Sequence, residues 1–182
     1  MGFFATAKRI LMLEENVYSH IFREGKILRY CFANLLIFGL LYGLFALLFS
    51  GMFFSEEVPF QYKIFFLIAG VGLVFLAHAG LALFLWVFTR AAAGGVQPFF
   101  PLYFNVGISM AAAWPLAPVL TAVQTGYGGI VLYALLALVS LYVLSSVFVS
   151  VKSTSRLSGF RVCGAFVACA AVLVSMVYIY AF

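Results

Sequence analysis

The stretch AAAWPLAPVL, Ala111 to Leu120, sets two prolines three residues apart in a run without a charged side chain. Proline has no N–H to donate, and its ring collides with the carbonyl four residues back, so in water it ends or kinks a helix. Inside a bilayer it is tolerated in a spanning helix, provided neighbouring groups satisfy the freed carbonyl. The solvent around this stretch therefore decides what it is.

Composition supplies the solvent. The chain has 182 residues, of which 66% are hydrophobic and only 8% charged, and its mean hydropathy is +1.19. A soluble domain carries roughly a quarter charged residues, so there is too little polarity here to cover a surface facing water. Five apolar runs are each long enough for the roughly 20 helical residues that cross a bilayer. They are Tyr30–Phe54, Ile64–Phe88, Leu102–Val123, Ile130–Val151 and Phe160–Phe182; the first four contain no Asp, Glu, Lys or Arg, and the fifth has only Arg161 at its start. They are apolar on every side, unlike the alternating segments of a membrane β-barrel. The expected fold is all-α: a polytopic membrane protein of five transmembrane helices (30–182), preceded by a short amphipathic helical segment (1–29).

Basic residues orient the bundle. Lys8, Arg9, Arg23, Lys26 and Arg29 precede the first run, Arg90 follows the second, Lys152 and Arg156 follow the fourth, and Arg161 opens the fifth. Only Lys63, with Glu56 and Glu57, falls on the other side. The positive-inside rule then puts the N-terminus in the cytoplasm and the C-terminus outside. The net charge of +5 is read as this bias plus attraction to anionic lipid, not as a nucleic-acid footprint.

The amino-terminal segment repeats Phe4, Ala7, Leu11, then Tyr18 and Phe22 at helical spacing, which suggests helices lying in the interface. Glu14 falls on that apolar stripe. A break at EEN, with Asn16 capping a second helix, relieves the conflict.

Chemistry-bearing residues are sparse. His78 is the one titratable side chain in mid-span, and such a residue is a functional hypothesis by default. Read structurally, it is a neutral imidazole hydrogen-bonded to a neighbouring span. Asn34, Asn105 and Ser109 can bond across helices or line a polar cleft. Pro115 and Pro118 should bend the third run, freeing the carbonyls of Ala111 and Trp114. Cys31, Cys163 and Cys169 have no metal-like spacing and read as small buried thiols. GLLYG, Gly39 to Gly43, has the spacing that lets two helices approach closely, within one chain or between two. No nucleophile–base pair, phosphate loop or intramembrane carboxylate pair is present, so no enzyme, metal or cofactor is expected.

The segment TRAAAGGVQPFFPLYFNVGISMAAAWPLAPVL resembles the signature stretch of the Yip family (Ypt/Rab-interacting-type membrane proteins), prokaryotic branch. The likeness rests on Arg90, the Gly94–Gly95 turn, Phe99 and Phe100, and the small-residue span with Pro115. The acidic–glycine–proline motif of eukaryotic members is absent before Tyr30, so GTPase binding does not carry over. The resemblance implies a non-enzymatic accessory or organising subunit of the cytoplasmic (inner) membrane of a prokaryote, acting through membrane lipids and other integral membrane proteins, or through copies of itself. Lys8, Arg9, Glu14, Arg23, Arg90, Gly94 and Gly95 are the candidate contacts. The alternative is a transport or channel subunit for a small solute or lipid, with a path near spans two and three.

Overall fold

The computed structural model describes residues 2–93, 98–155 and 157–181; Gly94 and Gly95 lie outside them. Among the described residues the chain is helical: α1 (Phe3–Leu11), α2 (Asn16–Arg23), α3 (Ile27–Phe49), α4 (Phe60–Ala93), α5 (Phe99–Ser109), a 3₁₀ turn (Met110–Ala113), α6 (Leu116–Gln124), α7 (Ile130–Ser155) and α8 (Gly159–Ala181).

Three helices, α3, α4 and α7, are long and apolar enough to cross a membrane, and α5 with α6 makes a fourth crossing if the bent pair is one span. In α8 the described apolar part, Gly159–Val172, is shorter than a crossing. Large apolar side chains cover the outside: Leu76 is 74% exposed, Ile130 86% and Phe160 89%. Exposed apolar surface on that scale belongs in lipid.

The helices close into a ring, α3 against α4, α4 against α8, α8 against α7, and α7 against the broken α5–α6 pair, which returns to α3. The tightest seam is α3 on α4. A Cβ added at Gly39 would lie 2.6 Å from the Val71 Cα, one at Gly43 2.9 Å from the Leu67 Cα, and one at Gly70 2.9 Å from the Gly43 Cα. The GLLYG motif is thus used inside the chain, where missing side chains let two backbones meet.

Helix ends differ from the hydropathy limits for local reasons. Gly51, at φ +74°, takes the left-handed conformation that stops α3 at Phe49, although Phe53 and Phe54 keep the run apolar. Helix α4 begins at Phe60, directly after Pro59, so Gln61 and Lys63 are helical. Lys63 Nζ donates to the carbonyls of Phe53 at 2.8 Å and Ser55 at 3.0 Å, tying down the α3–α4 loop.

The amino-terminal segment docks onto the bundle. Its packed faces are Thr6, Ala7 and Ile10 in α1 and Val17, Tyr18 and Ile21 in α2, while Phe4 and Phe22 are 81% and 58% exposed. The expected stripe is therefore split between packing and exposure. The break falls earlier than EEN: Leu13 adopts φ +58°, and the Glu14 N–H donates to the Arg9 carbonyl at 3.1 Å. Asn16 opens α2 without a side-chain cap. Glu14 stays at home, with Arg9 Nε 2.6 Å from its Oε2. Lys152 reaches Glu15 at 2.9 Å, and the Tyr142 hydroxyl donates to the Leu11 carbonyl. Both anchor the segment to α7.

Candidate functional site: a cavity beside the broken span

The α5–α6 pair bends by 75°, and the cause starts before the prolines. Ser109 Oγ donates to the Val106 carbonyl three residues back at 2.7 Å, a side-chain bond that competes with the helix ladder and bends it. Residues 110–113 then tighten into the 3₁₀ turn. Beyond it the Trp114 N–H reaches the Ala111 carbonyl at 3.5 Å, and the Ala117 N–H reaches the Trp114 carbonyl at 3.3 Å. Those are the carbonyls that Pro115 and Pro118 deprive of their usual donors, so they are satisfied locally and not by a neighbouring helix. Ala111, Ala112 and Ala113 are buried, Pro118 is half-buried and Pro115 is exposed. Phe3 of α1 stacks on the Trp114 ring at 6.3 Å and on Tyr30 at 5.4 Å, so the docked helix braces the bend.

The pair still passes from one end of the bundle to the other. Phe99 at its start meets Trp86 near the end of α4, with ring centroids 5.9 Å apart. Tyr127, just past its end, meets Phe49 at the end of α3, at 5.6 Å.

Beside the bend lies a cavity of about 310 Å³ between Phe38 and Tyr42 of α3, Leu73, Ala77 and His78 of α4, Ala113 of the 3₁₀ turn, and Leu120 and Gln124 of α6. That size is within the range of small-molecule sites, which are lined mainly by apolar groups with few polar ones. At one edge the Tyr42 hydroxyl donates to Gln124 Oε1 at 2.7 Å. His78 is the other polar contributor and is 3% exposed. Its ring lies 4.5 Å from that of Tyr103, and its Nε2 is 3.3 Å from where a Cβ at Gly107 would sit, beside Cys31. The Tyr103 backbone faces the imidazole, yet neither ring nitrogen completes a hydrogen bond. The expected structural histidine has one candidate partner on an adjacent span, the Tyr103 backbone, and the contact falls short of good hydrogen-bond geometry.

Asn34 and Asn105 do bond between helices. Asn34 Nδ2 donates to the Ile108 carbonyl at 3.0 Å, and Asn105 Nδ2 to Thr154 Oγ1 at 2.7 Å. Each leaves its Oδ1 without a partner. The Ser109 carbonyl accepts from Ser146 Oγ at 3.4 Å. The inward polar face of α7, Ser146, Ser150 and Thr154, was open to sequence reading through its four-residue spacing. Gln124, Gly107 and Met110 gave no comparable signal. Among the described residues no three His, Cys, Asp or Glu side chains gather as a metal site, and Cys163 is exposed while Cys31 and Cys169 are buried.

Of the candidate contacts, Lys8, Arg23 and Arg90 are exposed, Arg90 lying 5.3 Å over the Trp86 ring. Arg9 and Glu14 engage each other. No protein-family model, curated protein or solved structure matches this chain.

Proposed function

We propose that this is a non-enzymatic integral membrane protein that receives a neutral, mostly apolar molecule from the bilayer in the cavity beside its broken span. The observation that carries the reading is His78. A neutral imidazole has one donor and one acceptor nitrogen, and leaving such groups unpaired in a buried site costs about 1–3 kcal/mol each. An apolar cavity walled by that side chain suits a ligand that is mostly hydrocarbon with one hydrogen-bonding oxygen. Irregular backbone at membrane depth is tolerated where it is buried or lines a cavity, and discontinuous helices build many transporter sites. The proposal includes five crossings with the N-terminus inside, a prokaryotic cytoplasmic membrane, and the Yip-type likeness of the segment around Arg90, Phe99 and Pro115.

A second reading, an accessory subunit docking on membrane partners, draws on exposed Lys8, Arg23 and Arg90 at one end of the bundle. Lipid extraction from protein purified in mild detergent separates the two. The wild type should retain a neutral lipid in near-equimolar amount. Ala77→Phe, which fills the cavity from an exposed position, should lose it. His78→Leu should lose it too while gaining stability. An unchanged neutral-lipid content in both variants refutes the binding reading.

A further inference from the structure

At the opposite end from Tyr127, a second recess of about 380 Å³ lies between α2, the start of α5 and the end of α7. It shares no lining residue with the His78 cavity. Its polar contributors are Ser19 and Arg23 from α2, Asn105 from α5, and Ser153 and Thr154 from α7, with Phe22 at its side.

Each carboxylate at this end of the bundle already has a cation. Glu14 has Arg9, Glu15 has Lys152, and Glu24 has Lys26 at 2.7 Å. The remaining two, Glu56 and Glu57, sit in the α3–α4 loop at the far end. Arg23, which lines the recess, makes no ion pair among the described residues, so its charge is uncommitted.

The rest of the recess offers acceptors. Ser19 Oγ donates to the Asn16 carbonyl at 3.0 Å, Ser153 Oγ to the Glu15 carbonyl at 3.3 Å, and Thr154 Oγ1 to the Ser150 carbonyl at 2.7 Å. Their hydrogens are committed; the lone pairs of Ser19 and Ser153 remain, and Thr154, which accepts from Asn105 Nδ2 at 2.7 Å, keeps one. Asn105 is only 6% exposed, and its Oδ1 has no donor. One uncommitted cation therefore stands beside several acceptors that lack donors.

We propose that this recess binds a phospholipid headgroup carrying both a phosphate and hydrogen-bond donors, with phosphoethanolamine the best match. The phosphate takes the planar fork of Arg23, the geometry in which guanidinium binds phosphate best. The ammonium supplies its donors to Asn105 Oδ1 and the hydroxyl oxygens. Phe22, 58% exposed, lies against the acyl chains at the interface, where aromatic side chains anchor.

The test is native mass spectrometry of the full chain, delipidated in mild detergent and titrated with phosphatidylethanolamine or phosphatidylcholine of identical chains. Choline keeps the phosphate and positive charge but has no N–H donor. Ethanolamine lipid should bind at least about threefold more tightly. Arg23→Gln, at an exposed position, should weaken both lipids about tenfold. Ser153→Ala, keeping Asn105 in place, should narrow the preference without abolishing binding. Equal binding of the two lipids, or an Arg23→Gln variant that binds as the wild type does, overturns the proposal. Displacement by millimolar glycerophosphoethanolamine, which has no acyl chains, assigns the recess to a soluble phosphate ester and overturns the lipid source.

Discussion

Gly39→Ala tests the seam on which the bundle is built. The added Cβ would lie 2.6 Å from the Val71 Cα and 3.2 Å from the Val71 nitrogen. Carbon atoms in contact prefer about 3.5–4.0 Å, so α3 and α4 must part locally by about 1 Å. The obstacle is backbone, and no rotamer change removes it. A gap of that size forfeits roughly a quarter to a half of the dispersion energy of the contacts it opens, and overpacked cores typically lose about 1–3 kcal/mol. We expect about 2 kcal/mol, or a fall of about 4–8 °C in the unfolding midpoint for a chain of this length. The control is Gly72→Ala in the same α4, where nothing lies within 4 Å of the added atom. It should be neutral or gain up to about 1 kcal/mol from helix propensity. The assay is thermal unfolding in mild detergent followed by size-exclusion chromatography. Equal midpoints for the two variants refute the packing argument. A shift in oligomeric state without loss of stability in Gly39→Ala would move the motif to an interface between chains.

The proposed five-span, N-in topology, argued from the distribution of basic residues, is tested by a periplasm-active reporter: fused after Phe182 or at Tyr127 it should be active and at Gly95 or Thr154 silent, activity at Gly95 being the refuting result. The Glu24 carboxyl is held down to about 2 from an ordinary 4.5, chiefly by its hydrogen bond from Lys26. Its stabilising contribution is therefore complete above pH 4.5 and is lost as pH falls towards about 2. A carboxyl NMR titration should show that low midpoint and a return towards 4.5 in Lys26→Met.

Hydropathy made the helical class legible because hydrocarbon leaves the backbone few alternatives. The long charge-free runs that became α3, α4 and α7 show it. Helix limits were less legible, since they depend on single conformations such as Gly51 and Leu13 that an average over twenty residues does not register. The third run was read in part. Pro115 and Pro118 announced a bend, but the helix already departs from regular geometry at Ser109, where a hydroxyl takes a carbonyl of its own helix. Spacing alone does not say whether a serine will do that or bond across to a neighbour. The amino-terminal stripe was read in part. Ala7 and Tyr18 are buried, Tyr18 with its hydroxyl donating to the Ser146 carbonyl at 3.4 Å, while Phe4, Leu11 and Phe22 on the same stripe are exposed.

Where polarity goes unsatisfied says more about the site than where it occurs. The buried atoms without hydrogen-bond partners among the described residues are Asn34 Oδ1, both nitrogens of His78, Asn105 Oδ1, Trp114 Nε1 and Ser150 Oγ. Two of these residues, Asn105 and Trp114, belong to the broken span, and the others abut it: Asn34 through Ile108, His78 through Gly107, and Ser150 one turn before the Thr154 that meets Asn105. A chain with so few polar side chains had ample apolar alternatives at these positions, and each orphan group works against stability. Unmet hydrogen-bonding capacity therefore gathers along the one crossing whose backbone is irregular, between the apolar cavity at the bend and the Arg23 recess at its start. Under the binding readings proposed above, these are the groups that a bound molecule would pair, and the lipid-extraction and titration experiments test that.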